Sequence, residues 1–266
     1  MSTHTLSASV AGIGFWTRGL PHWNAARQFV LHGELPADAA AKPSPQLLAP
    51  NERRRAPDTV AVALEVALAA CNAGGRDPAS LSSVFASTHG DLAITDYMCS
   101  TLVHEPRTIS PTKFHNSVHN AAAGYWTIGT GAMTAATAIS AFDASFAQGL
   151  LEALAQLATG TDAVLLVGYD STSTGPLSRT SPSEGLLGGA LLLVRDPLPG
   201  APRLQVRLRD TEAVDAVTSL GPLSTLAAGN AMAPMLPLFE TLARSGSRTQ
   251  MHAGPGRVLE MELSHD

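Results

Sequence analysis

Two stretches of this chain are apolar on nearly every side of a helix. Between Thr59 and Ala73 the residues Val60, Val62, Leu64, Val66 and Leu68 fall at spacings that no single helical face can hold, and Gly74–Gly75 stop the run. Asp58 stands where a cap is expected. Between Ala144 and Ala158, Phe146, Leu150, Leu151, Leu154 and Leu157 make a second helix of the buried type, with Gly160 at its end. A helix apolar all round has to be covered all round. This argues for helices sandwiched between sheets rather than helices on an outer face. Charged residues are only 15% of the chain and hydrophobic residues 45%. The charged share is below the usual quarter or so, so part of the surface is expected to be covered by a partner.

The remaining segments read as α/β. Leu6 to Trp16 is a strand, and Trp23 to His32 is a short amphipathic helix ended by Gly33. Leu81 to Ser87 and the small-residue run Ala132 to Ser140 are strands. Ser110 to Lys113 is a loop, and Phe114 to Trp126 follows as a helix. Ala163 to Val167 and Ala190 to Val194 are uninterrupted apolar strands, as in a sheet covered on both faces. Leu204 to Arg209 alternates, so one face should be wet. Pro234 and Pro237 delay the start of a helix that runs to Arg244, and Arg257 to Leu263 closes the chain as a strand.

Composition excludes several function classes. Net charge is −5, with no basic footprint for nucleic acid. Arg53–Arg54–Arg55 reads as a solvated turn before a helix, against a phosphate or carrier-protein patch. Two cysteines make no disulfide framework and fit a reducing cytoplasm. Met1 to Val10 lacks the pattern of a signal peptide, and no apolar run has the length of a membrane span.

The stretch FHNSVHNAAAGYW, Phe114 to Trp126, looks chemical. On one helix His115 and His119 would share a face. Zinc hydrolases need Glu directly after the first His, and Asn116 stands there, so no metal is expected. GYDSTSTG, Gly168 to Gly175, is not a hydrolase elbow, and Ser171 reads as a turn residue. Gly185, Gly188 and Gly189 precede a strand, which suits a turn or close backbone packing rather than a phosphate cradle. Cys71 lies within the first apolar helix and reads as a buried, inert thiol; Cys99 has no base beside it in sequence.

Four blocks occur in order: APNERRRAPDTVAVALEVALAA (Ala49 to Ala70), VFASTHGDL (Val84 to Leu92), ISPTKFHNSVHNAAAGYWTIGTG (Ile109 to Gly131) and AVLLVGYDS (Ala163 to Ser171). Together they resemble the β-ketoacyl synthase-like N-terminal family, a short thiolase-fold family found beside aryl-polyene and related pigment pathways. The resemblance covers Leu6 to about Val194. It implies a thiolase-like layered α/β fold, buried helices between mixed β-sheets, truncated relative to full ketosynthases. Residues 1–195 would form the ketosynthase-like domain, and 196–266 a short extension completing or covering it.

Ketosynthases carry a nucleophilic cysteine at the start of the central buried helix. Here no cysteine is present; Asp143, or with an offset Ser140, stands near that position, and a carboxylate there could cap the helix. The two histidine motifs of the second half are also lacking, and neither His252 nor His265 matches them. The resemblance therefore implies a subunit that does not condense on its own and needs no cofactor. It would pair with an active β-ketoacyl synthase as a chain length factor for polyene or fatty-acid-like chains. An acyl carrier protein would deliver its phosphopantetheine arm to that partner. Ala132 to Ser140 would pair across the dimer seam. Phe114, His115, Asn116, His119, Met133, Thr134, Phe142 and Asp143 would line the pocket or interface, with ordinary core packing as the alternative for Met133 and Phe142. Two other readings are an acyltransferase or thioester hydrolase using Ser140, Asp143 or His115, and a homodimeric acyl-binding protein.

Overall fold

The computed structural model describes residues 5–211 and 220–265. In chain order the elements are β1 (Leu6–Thr17), α1 (Trp23–His32), α2 (Pro50–Arg53), α3 (Asp58–Ala73), β2 (Ser82–Ala86), α4 (Leu92–His104), α5 (Pro111–Asn116), α6 (Ala121–Thr130) and β3 (Ala136–Ile139). Then come α7 (Ser145–Ala158), β4 (Ala163–Asp170), β5 (Leu187–Val194), β6 (Arg203–Asp210), α8 (Pro222–Leu226), α9 (Leu236–Ala243), β7 (Arg248–Gly254) and β8 (Arg257–Ser264).

The strands form one mixed sheet in the order β3-β2-β4-β5-β1-β6-β8-β7. β2 runs parallel to β3 and β4, and the remaining pairings are antiparallel. β4 and β5 are buried along their whole length. Their side chains alternate between two cores, as strand geometry requires. Val164 and Leu166 join Phe146, Leu150 and Leu154 of α7 on one face. Leu165 and Val167 join Val62, Val66 and Trp126 on the other. The uninterrupted apolar runs thus reflect a helix on each face.

The fold is the expected thiolase-like layering of mixed sheet and buried helices, with one difference in detail. The helices are not held between two separate sheets, because hydrogen bonding is continuous through β1. This long strand pairs β6 through Leu6–Ser9 and β5 through Ser9–Thr17, with a bulge between Val10 and Gly12. The far end of the same sheet reaches α7, where Gln148 Nε2 donates to the Ala253 carbonyl at 2.7 Å. α7 therefore packs against β2 and β4 and also against β7.

α3 lies on β1 with almost no side chain between them. A Cβ on Gly12 would collide with the Ala70 carbonyl oxygen, and one on Gly14 with that of Val66. Gly188 and Gly189 give the same closeness to Val62 and Phe239, and Gly185 turns the chain at φ 71. α7 is less enclosed than expected: Gln148, Leu151 and Glu152 are half-buried, and Ala155 is exposed.

Four local expectations need correction. Asp58 does not cap α3, because the rigid Pro57 precedes it and makes Asp58 the first helical residue; its carboxylate lies 3.9 Å from Lys42. Ser110 to Lys113 is not a loop: Ser110 Oγ accepts from the Lys113 amide and Pro111 takes the first helical position, so α5 starts there. The helix through Phe114 to Trp126 is broken at 117–120, where Ser117 Oγ donates to the Phe114 carbonyl and competes with the helical ladder. The strand within Ala132 to Ser140 is only Ala136–Ile139.

Candidate functional site

The parallel strands end level with one another: Ala86 pairs with Ile139 on one side and Gly168 on the other. The segments following them converge at the carboxyl ends of the strands, where α/β sheets place their chemistry. The centre of this convergence is Asp170, which is fully buried. Its Oδ1 accepts from Ser87 Oγ at 2.6 Å, and its Oδ2 accepts from the Thr88 amide at 3.0 Å. His89 Nδ1 stands 3.8 Å from Oδ1. Burial pushes the Asp170 carboxyl above its usual range, against the lowering effect of Ser87, His89 and Thr88.

His119 belongs to this cluster. Its Nε2 lies 2.9 Å from the Ser87 carbonyl, which only accepts, so Nε2 carries the proton. His115 is on α5, exposed, with its ring edge-on to Tyr125 at 5.8 Å. The two histidines share no helical face. Among the described residues no group of three or more His, Cys, Asp or Glu is arranged to hold a metal ion.

Between β3 and α7 the chain makes a strained elbow. Phe142 has φ 51, a left-handed backbone that costs a bulky residue about 1–3 kcal/mol. The elbow is held by Ser145 Oγ, which accepts from the Ala141 amide at 2.9 Å and donates to the Phe142 carbonyl at 2.6 Å. Thr88 Oγ1 donates to the same carbonyl at 3.4 Å. Ser140 Oγ donates to the Thr88 carbonyl at 2.7 Å, so its hydroxyl proton is already committed. Asp143 does not cap α7, which has no side-chain cap; the 3₁₀ turn Phe142–Ala144 points its carboxylate at His252 Nε2, 3.5 Å away.

The side chains named from sequence for the seam do not gather at one place: Phe142 and Asp143 are on this elbow, Met133 and Thr134 precede β3, and Phe114, His115 and Asn116 are on α5. Met133 is 96% exposed and Phe142 72%, so core packing within this chain is overturned for both. Phe114, Val118 and Ile128 are also large, apolar and exposed. Thr134 is tied back to the Leu81 carbonyl at 2.6 Å. Asn116 is buried, with its Oδ1 unpaired. Cys71 is buried, its thiol pushed up to about 12 by desolvation.

Sequence reasoning missed Asp170, Ser87 and His89, and weighed His252 only against the family's histidine motifs. Asp170 was hidden in a stretch read as a turn. His252 sits on β7, a strand not anticipated.

A family model described as "Beta-ketoacyl synthase, N-terminal domain" matches residues 23–253. No curated protein matches the chain. Among solved structures, one similar fold comes from a ketosynthase, ApeO, in complex with its chain length factor, ApeC, from Xenorhabdus doucetiae. That match has TM-score 0.74 and 20% identity, and covers 97% of this chain and 99% of the matched one. The ishigamide ketosynthase/chain length factor matches with TM-score 0.72 and 14% identity, over 98% of this chain and 99% of that one. The ketosynthase from module 1 of the bacillaene synthase from Bacillus amyloliquefaciens FZB42 matches over 82% of this chain but only 49% of its own, with TM-score 0.55 and 17% identity. With the family model spanning most of its length and the thiolase-like fold in place, the chain belongs to the β-ketoacyl synthase N-terminal domain family.

Proposed function

We propose that this chain is a ketosynthase-like subunit that forms no acyl bond itself and pairs with an active β-ketoacyl synthase as its chain length factor. The observation that carries this is Phe142. A strained strand-to-helix elbow is the geometry that presents a nucleophile, and here the residue on it is an exposed phenyl ring with no nucleophilic atom. Beside it, among the described residues, β3 is an edge strand with one unpaired side, and Ile128 and Met133 nearby are exposed. An open edge with apolar neighbours invites a second chain.

In this reading β3 and the elbow face the partner, and Phe142 and Met133 bound the partner's acyl cavity. A carrier protein serves the partner, and the growing chain is polyene-like. Residues 196–266 complete the same domain, consistent with β6, β8 and β7 extending its sheet. The complex works in the cytoplasm and needs no metal or cofactor from this subunit. The matches over nearly full chains in two ketosynthase–chain length factor structures support it. The Asp143–His252 pair favours the alternative of an acyltransferase or thioester hydrolase. The hydroxyl that reading names, Ser140 Oγ, already donates to the Thr88 carbonyl.

Product length tests the proposal. With its ketosynthase, Phe142→Ala should shift the product distribution toward longer chains while complex yield stays the same. An unchanged distribution with Phe142→Ala and Met133→Ala together would remove both residues from the cavity wall. Thioester hydrolysis by the lone chain that disappears in Asp143→Asn would favour the alternative.

A further inference from the structure

A cleft of about 750 Å³ lies away from the elbow; neither Phe142 nor Ser140 lines it. Its cationic lining is Arg18 after β1, Lys42 and Arg55 ahead of α3, and Lys113 on α5. Two carboxylates also line it, and both are engaged. Asp91 accepts from the Ile94 amide at 3.0 Å and from Thr59 Oγ1 at 2.9 Å, which fixes the start of α4. Asp58 lies 3.9 Å from Lys42. Among the described residues the side chains of Arg18 and Arg55 make no ion pair or hydrogen bond, and Lys113 Nζ stands 3.5 Å over the Tyr97 ring. Three cations without a carboxylate therefore border one cleft in a chain of net charge −5. Like charges gathered this way favour an anion between them.

The cleft also holds unmet hydrogen-bonding groups. Asn116 is 4% exposed, lines the cleft, and has no partner for its Oδ1. Thr174 Oγ1 is buried there without a partner as well. Buried polar groups are nearly always paired, so an amide oxygen and a hydroxyl without a protein partner, both on residues that line one cleft, mark the cleft as unfinished without a ligand. Trp16, Ile94 and Leu186 add apolar wall. The volume falls in the ordinary range for small-molecule sites, roughly 300–1,000 Å³.

We propose that this cleft binds a phosphorylated small molecule, its phosphates held by Arg18, Arg55 and Lys113 and its body lying against the wall that Trp16, Ile94, Leu186 and Asn116 form. Guanidinium forks suit phosphate oxygens, and the mixed lining suits a body with both amide-like and apolar parts. The ligand would sit on this chain and not in the partner's acyl cavity, so the inference stands or falls separately from the subunit reading.

Titration calorimetry of the purified chain with adenosine diphosphate, adenosine and inorganic pyrophosphate tests it. Saturable one-to-one binding of adenosine diphosphate is expected, with competition by pyrophosphate and affinity for adenosine at least about tenfold weaker. Arg55→Ala should weaken adenosine diphosphate by about tenfold or more. Arg54→Ala, an exposed neighbour outside the lining, should leave it unchanged. Absence of saturable binding by both phosphate probes, adenosine binding as tightly as its diphosphate, or equal losses in Arg54→Ala and Arg55→Ala would each overturn the site.

Discussion

The centre of the sheet and its β3 edge are built from similar residues and treat them oppositely. In β4 and β5 every residue is buried, and α3 and α7 seal the two faces. At the β3 edge the apolar side chains Ile128, Met133 and Phe142 stand in solvent, and no residue of β3 is fully buried. The first region gets its stability from its own chain. The second carries apolar surface that the described residues leave uncovered, which is how a surface reserved for another chain reads.

The largest effect expected within this comparison is in the interior. Leu150 is fully buried between α7 and the sheet, so Leu150→Ala should cost about 2–5 kcal/mol in denaturant unfolding. Met133→Ala should stay within about 0.5 kcal/mol in the lone chain. A large loss at Met133 would mean that this side chain is part of the core after all.

Asp170 marks the border between the two regions, and its carboxyl titrates above the ordinary aspartate value of 3.8 because it is buried. A folded-state value raised above the unfolded one means that the native protein binds more protons. Asp170 therefore favours folding at acid pH, and that contribution declines as pH rises from the unfolded value through the folded one. In Asp170→Asn this decline should be absent, although the loss of an acceptor for Ser87 and Thr88 lowers stability overall. Parallel stability–pH curves for the two proteins would contradict the assignment.

The smallest effect concerns the thiols. Exposed Cys99 should react with a maleimide in the native chain, and Cys71, buried with its thiol pushed up to about 12, only on unfolding. Native reaction at Cys71 would show that α3 is less sealed than described.

What the sequence disclosed follows the same division. α3 was legible because almost every position is apolar, and β4 because its run is uninterrupted; both are consequences of burial on all sides. α4 was not, since only Leu92 and Met98 are buried and no helical period shows. β7 was missed because its inward residues, Met251 and Ala253, are too few to set a pattern. The break between α5 and α6 joins a local contact, Ser117 Oγ to the Phe114 carbonyl, to one 32 residues away, the Ser87 carbonyl beside His119, and the second has no local sequence signal. Met133 and Phe142 could be named through family resemblance as candidates for a seam, but their exposure is visible only in the structure. That Phe142 holds the strained elbow required the backbone itself, and the buried Asp170 cluster required the register of β2 against β4.

The central claim is that the β3 edge and its exposed apolar neighbours are made for a ketosynthase. Light scattering on the chain co-expressed with its ketosynthase measures this directly. The account predicts a stable one-to-one complex that is lost in the Ile128→Asp, Met133→Asp double variant, while the variant alone unfolds at the wild-type temperature. A complex that survives both charges, or a wild-type chain that stays a homodimer and ignores the ketosynthase, would contradict it.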